Sequence, residues 1–216
     1  MSYLIQYATE ADAPALARIN TQSFQNRRLL AEVFPQTSAS TLQDYKAIVA
    51  MKHLANPQMH VLKVTDGEIA GYARWLIPEA LGFGQTLPVL SEQAALAAKD
   101  PVPFAPRPMN EDIYSAFKGL LEAARKRHTT DQDMVLDLLG TLPAYQGRGV
   151  GSALLNWGTQ KADAWKKRIY LEATPEGESI YRKHGWKPVE VLTMDFAPFG
   201  GVGGETFLVM IRDPVS

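Results

Sequence analysis

LDLLGTLPAYQGRGVGS, Leu136 to Ser152, passes from an apolar strand through a proline corner into a glycine-rich turn and opens a helix. A strand that ends this way leaves backbone N–H groups unpaired at a helix N-terminus, where those donors and the helix dipole favour an anion, most often a phosphate. Spacing narrows the kind of phosphate site. A P-loop needs GxxxxGK followed by Ser or Thr, but the lysine is absent and Gly147, Gly149 and Gly151 alternate. A dinucleotide fingerprint needs GxGxxG early in a βαβ unit, and here the third glycine comes one position too soon. An ordinary glycine-rich connection between strand and helix is the plain alternative.

The hexapeptide QGRGVG, Gln146 to Gly151, resembles the Q/R-x-x-G-x-G/A signature of the GCN5-related N-acetyltransferases, the GNAT superfamily. Downstream, YLEAT at Tyr170 to Thr174 and IYRKHGW at Ile180 to Trp186 resemble that family's next strand and helix, the tyrosine standing four residues before a glycine. Trp186 takes the place of the usual phenylalanine. The phrases LLNWG, YLEA and IYRKHGW also resemble a fungal-type branch of small GNAT enzymes. The resemblance is specific over Met134 to Trp186 and only compatible elsewhere. It implies an α/β (α+β) chain with a mixed, twisted central sheet of about seven strands flanked by helices, and a cofactor in the splay between two central parallel strands.

At 216 residues the length suits one domain, 1–216, with 46% apolar and 21% charged residues, both ordinary for a globular protein. A net charge of −1 gives no electrostatic case for nucleic acid or an anionic membrane. Basic clusters at Arg125 to His128 and Lys166 to Arg168 each end an expected helix, where cations are favoured anyway. The absence of cysteine excludes an acyl-cysteine intermediate. His53, His60, His128 and His184 show no metal-ligand spacing, so no metal is expected. The start MSYLIQYATE lacks the pattern of a secretory signal and no run approaches the ~18 apolar residues of a membrane span, so a soluble cytoplasmic protein is the expectation.

Along the chain, Tyr3 to Tyr7 reads as a short strand, and Thr9 with Asp12 as a capping box opening a helix with Ala11, Ala15 and Ile19 on one face. Asn26 to Pro35 and Thr41 to Leu54 read as helical, the second with Leu42, Tyr45, Val49 and the stem of Lys52 on one side. His60 to Thr65 and Glu68 to Ile77 form a hairpin turning at Asp66-Gly67. Pro78 to Pro108, with six prolines and the run AALAAK, reads as an insertion without regular structure, either covering the acceptor pocket or a surface excursion. Asn110 caps a helix whose stripe Ile113, Phe117, Leu120, Leu121 and Ala124 is core packing with no chemistry. Met134 to Leu139 is a buried central strand interrupted by Asp137, and Leu154, Gly158, Ala162 and Trp165 share a face of the helix from Gly151 to Trp165. Ile169 to Ala173, a helix over Gly177 to Gly185, and a closing strand pair Pro188 to Phe196 and Thr206 to Ile211 complete the order.

The resemblance implies direct acetyl transfer from acetyl-CoA to an amine in a ternary complex. On that pattern the amides around Gln146, Gly147, Arg148, Gly149, Val150, Gly151 and Ser152 cradle the pyrophosphate, and Arg148 adds a permanent charge. The Leu139 N–H meets the thioester carbonyl, Thr141 pairs with the pantetheine arm, and Thr174, closing the next strand, is counted with these cofactor contacts. Tyr181 is the candidate general acid for the departing thiolate, against a reading as one more packing aromatic. An alkylamine is mostly protonated at neutral pH, so a proton acceptor is required. Asp137, or a water beside it, is the candidate, against a reading as a structural carboxylate. The catalytic glutamate of histone-acetylating relatives would fall at Val135, a departure that puts the base in doubt. The acceptor is expected to be a small-molecule amine. A rival from another class is an acyl-CoA-binding sensor on the same fold, which binds the thioester and transfers nothing. A nucleotide-binding enzyme is a more distant one.

Overall fold

The alternation of apolar runs and glycine turns produces one seven-stranded sheet, and the central strand pair that opens the site lies in its middle. The computed structural model of the chain describes residues 3–81 and 88–215. Chain order is β1 (Ile5–Tyr7), α1 (Ala13–Ser23), α2 (Arg28–Val33), α3 (Ala39–Leu54), β2 (Met59–Asp66), β3 (Glu68–Leu76), α4 (Glu92–Lys99), α5 (Glu111–His128), β4 (Met134–Thr141), α6 (Val150–Trp165), β5 (Ile169–Ala173), α7 (Glu178–Lys183), β6 (Lys187–Asp195) and β7 (Gly204–Arg212). Spatial order is β1-β2-β3-β4-β5-β7-β6. Every pairing is antiparallel except β4 with β5. The mixed sheet expected from the sequence is therefore present.

Two helical layers cover the sheet. On one face, Val150, Leu154, Leu155 and Ala162 of α6 and Tyr181 of α7 pack against Leu62, Trp75, Leu136 and Leu171. On the other, Leu16 and Ile19 of α1 and Leu54 of α3 meet Val61 and Tyr72, while Ala124 of α5 covers Val135, Tyr170 and Val209. Helix α6 lies close to the sheet because Gly158 has no side chain: a Cβ there would stand 2.3 Å from Cζ2 of the fully buried Trp75. At the far end Arg212 of β7 clamps three elements together. Its guanidinium donates to Asp163 of α6 through both Nη atoms, at 2.7 and 2.8 Å, and its Nε donates to the His184 carbonyl behind α7 at 2.9 Å.

Several expectations shift in detail. The capping box at Thr9 and Asp12 forms, with Thr9 N–H donating to Asp12 at 2.7 Å, but it opens a short 3-10 turn ahead of α1. The buried face of α1 is Ala13, Leu16, Ala17, Ile19 and Thr21, and Ala11 is exposed. Tyr45 is buried on α3, whereas Lys52 is exposed. The proline-rich stretch is less irregular than expected. Ser91 accepts the Ala94 N–H at 3.2 Å and starts α4, so the AALAAK run is helical and lies against α3. Ser91 also donates through both N–H and hydroxyl to Glu10, at 2.8 and 2.9 Å, tying the insertion to the first turn of the chain. Residues 82–87 of that stretch lie outside the described residues.

Because Trp75 leaves no room beside α6, Gly158→Ala should destabilise the fold by about 1–3 kcal/mol through overpacking. A urea titration showing an unchanged midpoint would mean that Trp75 can move aside.

Candidate functional site

The site begins where β4 and β5 part. Only Met134 with Ile169 and Val135 with Tyr170 are in register between them, and beyond those two positions the parallel pair diverges. On its other side β4 stays joined to β3, with one irregularity. Leu138 opposes Arg74 and Leu136 opposes Trp75, leaving Asp137 as an extra residue in a β-bulge. Leu136 belongs to the layer under α6, whereas Asp137 and Leu138 both face α1, and Leu139 returns to the α6 side. The bulge thus resets the strand just below the presumed thioester position.

The resulting backbone directions follow from the ladder. The Leu142 N–H donates to the Ala70 carbonyl at 2.9 Å, so in the alternation of an antiparallel pair Gly140 is bonded to β3 while Leu139 and Thr141 turn their N–H and C=O away from it, into the opening. Both residues assigned cofactor contacts from the sequence therefore turn their backbone N–H groups toward the splay. A Cβ at Gly151, in the first turn of α6, would lie 3.1 Å from Ile180 Cδ1 and 3.8 Å from both Leu139 Cδ2 and Thr141 Oγ1. Strand β4, the start of α6 and helix α7 thus converge on one spot.

The turn itself is left-handed at two glycines, Gly147 (φ +74°) and Gly149 (φ +89°), conformations that L side chains rarely adopt. Gly149 leads directly into α6, whose first-turn amides have no intrahelical acceptor. Val150 points its side chain into the core, so only its backbone serves the turn. Gln146 donates its side-chain amide to the Thr141 carbonyl at 3.3 Å, and the Tyr3 hydroxyl donates to the Arg148 carbonyl at 3.0 Å. These two bonds hold the turn against β4 and against the N-terminal segment, a supporting role that the motif reading did not include. Arg148 is exposed, its guanidinium 5.4 Å from the Tyr145 ring centroid. Thr174 follows β5 directly, and its carbonyl accepts the Gly177 N–H at 3.0 Å.

Tyr181 is buried, edge-on to Trp186 with ring centroids 6.0 Å apart, and its hydroxyl bonds to no described residue. Burial raises its pKa above the usual phenol value, so it stays protonated through neutral pH.

Asp137 lies on the opposite face, in the wall of a cavity of about 290 Å³ between α1, α3, α5 and the sheet. Lys46 and His53 from α3, Tyr72 and Arg74 from β3, and Tyr114, Phe117 and Lys118 from α5 share that wall. Phe117, read from sequence as packing alone, is therefore also a cavity residue. None of the described residues of the 78–108 insertion lines the cavity. Asp137 Oδ2 is 2.7 Å from Arg74 Nη2, and Oδ1 is 3.6 Å from Arg125 Nη2. Arg125 in turn reaches the buried Glu172 of β5 at 3.3 Å, making a charge chain across three strands. Burial opposes ionisation of Asp137, but the Arg74 guanidinium, with His53 and Arg125, outweighs it and holds the carboxyl below its ordinary range. Glu172 shifts upward, because burial there exceeds the pull of Arg125. Asp137 is thus a carboxylate at neutral pH and a weak base. Lys46, Arg74 and Glu172 were not singled out from the sequence, and His53 and Arg125 entered it only as a histidine without metal-ligand spacing and as part of a basic cluster ending a helix, since no spacing links residues of four different elements. Among the described residues no group of three or more His, Cys, Asp or Glu is placed to hold a metal ion, and no described helix is long and apolar enough to cross a membrane.

Comparison with known proteins agrees with this geometry. Residues 111–188 match the family described as acetyltransferase (GNAT) domain. No curated protein matches the chain. Similar solved structures include a histone acetyltransferase HPA2 and related acetyltransferase from Corynebacterium glutamicum, 23% identical with a TM-score of 0.62 over 100% of this chain and 98% of that one. An N-acetyltransferase from Staphylococcus aureus is 14% identical with a TM-score of 0.56, covering 96% of this chain and 99% of its own. The PaiA N-acetyltransferase from Thermoplasma acidophilum, in complex with coenzyme A, is 13% identical with a TM-score of 0.52, covering 99% of each chain. The chain has the GNAT fold.

Replacing Asp137 with Asn removes the charge between Arg74 and Arg125 and should cost about 1–3 kcal/mol at neutral pH. A carboxyl with a depressed folded pKa stabilises above its unfolded value, about 3.9, and loses that contribution as pH falls through the folded value. The stability gap between wild type and Asp137→Asn should therefore be full above about pH 5 and close in acid. Parallel denaturation curves with the same gap at pH 3 and pH 7 would contradict the ion-pair assignment.

Proposed function

We propose that the chain is an acetyl-CoA-dependent N-acetyltransferase that passes the acetyl group directly to the amine of a small molecule. The observation that carries this reading is the convergence of three elements on the β4–β5 opening: the outward-facing backbone of Leu139 and Thr141, the first turn of α6, and the tyrosine helix α7. The fungal-type likeness of LLNWG, YLEA and IYRKHGW belongs to the same reading.

The residues present fit the cofactor. The turn leaves open space at its glycines, since a Cβ at Gly147 would meet nothing within 4 Å and one at Gly149 only Tyr3 at 3.9 Å, and the first-turn amides of α6 that follow have no intrahelical acceptor. These donors, with the helix dipole and the exposed Arg148, suit a pyrophosphate. Thr141 and Thr174 flank the arm that would lie in the splay, and the Leu139 N–H is the donor for a thioester oxygen on which charge develops. Acetyl-CoA, when bound, supplies an activated acyl group and a thiolate leaving group. Tyr181, protonated and without a hydrogen-bond partner among the described residues, donates to the departing sulfur. Asp137 keeps Arg74 oriented, and proton removal from the amine passes to water beside that carboxylate.

A thiol-release assay over an amine library, paired with titration calorimetry of acetyl-CoA, tests the function. Turnover with at least one amine is expected. Tight binding of acetyl-CoA with no coenzyme A released by any amine would convert the chain to a sensor. Gly149→Val should weaken acetyl-CoA binding at least ~10-fold, about 1.4 kcal/mol. Tyr181→Phe should leave that affinity and the melting temperature near wild type while kcat falls by roughly 10 to 10³-fold. An unchanged kcat, in an enzyme limited by chemistry, removes the tyrosine from the mechanism.

A further inference from the structure

We propose that the cavity beside Asp137 is the acceptor site and that it takes an amine whose molecule also carries a carboxylate, held by Lys46 together with Arg74. This rests on the acyl-transfer reading above and adds the class of acceptor to it.

Charge in the cavity wall is unbalanced. Lys46, Arg74 and Lys118 bring cations, and Asp137 is the one carboxylate among the described lining residues. Burial, and then Arg74, keep His53 well below its usual pKa, so it adds no compensating or further charge at neutral pH. Arg74 and Arg125 share the Asp137 carboxylate, whose Oδ2 lies 2.7 Å from Arg74 Nη2 yet meets no donor among the described residues at hydrogen-bond angles, and no ion pair joins it to Lys46. Lys46 has neither an ion pair nor a hydrogen bond with any described residue, and the Nε of Arg74 is buried without a hydrogen-bond partner. A lysine without an ion pair and a guanidinium whose Nε is orphaned thus share one cavity wall with a single carboxylate, and the wall carries a surplus of positive charge that an anion would balance.

Each acceptor class meets that wall differently. A polyamine or a lysine-rich peptide would bring further positive charge beside three cations. A simple alkylamine would leave Lys46 and the Arg74 Nε as unsatisfied as before. A carboxylate brings the missing negative charge beside the Lys46 ammonium and the Arg74 guanidinium. At about 290 Å³ the cavity lies at the small end of ligand pockets, in keeping with an amino acid or a molecule of similar size. Its position suits transfer as well. Asp137 is two residues before Leu139, about 7 Å along the strand, so a molecule whose carboxylate is anchored among α3 and β3 can direct its amine toward the splay. Burial, followed by the field of Arg74, draws the Lys46 pKa down to about 8. A docked carboxylate would oppose both effects.

The test uses matched acid and amide probes: L-leucine and L-leucinamide, β-alanine and β-alaninamide, 5-aminovalerate and its amide. Each pair is titrated against the full protein in the presence of coenzyme A, and each is assayed separately for thiol release with acetyl-CoA. In at least one pair the acid should bind ~10-fold or more tightly than the amide. Lys46→Gln should abolish that preference and Lys46→Arg should retain it, with acetyl-CoA affinity and melting temperature confirming that both variants are folded. The proposal is overturned if no acid is preferred in any pair, or if the preference survives in folded Lys46→Gln. Acid preference in binding without thiol release from any amine upholds the carboxylate site and removes the transferase reading. Thiol release that is indifferent to the carboxylate does the opposite.

Discussion

Two paired positions, Met134 with Ile169 and Val135 with Tyr170, hold the two halves of the sheet together, and everything functional follows from where that pairing stops. A central strand cannot leave its N–H and C=O groups without partners, because each orphan costs free energy comparable to a lost hydrogen bond. Past Val135 the outward groups of β4 lose β5 as a neighbour. At Thr141 the protein satisfies the carbonyl from within, through the Ser23 hydroxyl at 3.2 Å and the Gln146 amide at 3.3 Å. The outward-turned N–H groups of Leu139 and Thr141 remain available to a third extended chain laid between the strands. The divergence of β4 and β5 is therefore both the weak seam of the sheet and the opening proposed for the cofactor.

The opposite face meets a related constraint with charge. Asp137 sits in a central strand that is otherwise apolar, and it is tolerated because Arg74 and Arg125 flank it while Glu172 balances Arg125. Such a chain is a poor source of stability, since desolvation offsets much of the Coulomb attraction. Its effect is positional. It ties β3, β4, β5 and α5 into one register beside the opening, so the side chains that β3, β4 and α5 give to the cavity wall keep fixed places.

Much of this was legible in the sequence, for a physical reason. The turn from Gln146 to Ser152, helix α6, strand β5 and helix α7 are adjacent along the chain, and each is specified by local features: glycines at left-handed positions, an apolar helical stripe, a β-branched and aromatic run. Strand β5 falls on the residues expected, and α6 begins one residue earlier. The losses came where contacts are distant. Ala11 and Ala13 are both small and apolar, and only the packing of α1 on the sheet separates the exposed one from the buried one. The prolines flanking AALAAK suggested loop, yet Ser91 supplies a cap and α3 supplies a surface, which is enough for a short helix. Lys46 and Arg74 carry no sequence signal because their significance lies in what faces them across the cavity.

The clamp at Arg212 has a consequence for the order in which the protein becomes competent. All the groups assigned to the cofactor, from Leu139 to Tyr181, precede β6 and β7 in the chain, yet α6 and α7 are locked together by an arginine at position 212, and β5 depends on β7 for its second neighbour. On a ribosome the turn from Gln146 to Ser152 is thus translated well before the strand that braces the helices beside it, so a nascent chain stalled before β7 would carry every one of those residues while α6, α7 and β5 still lacked the contacts that fix them.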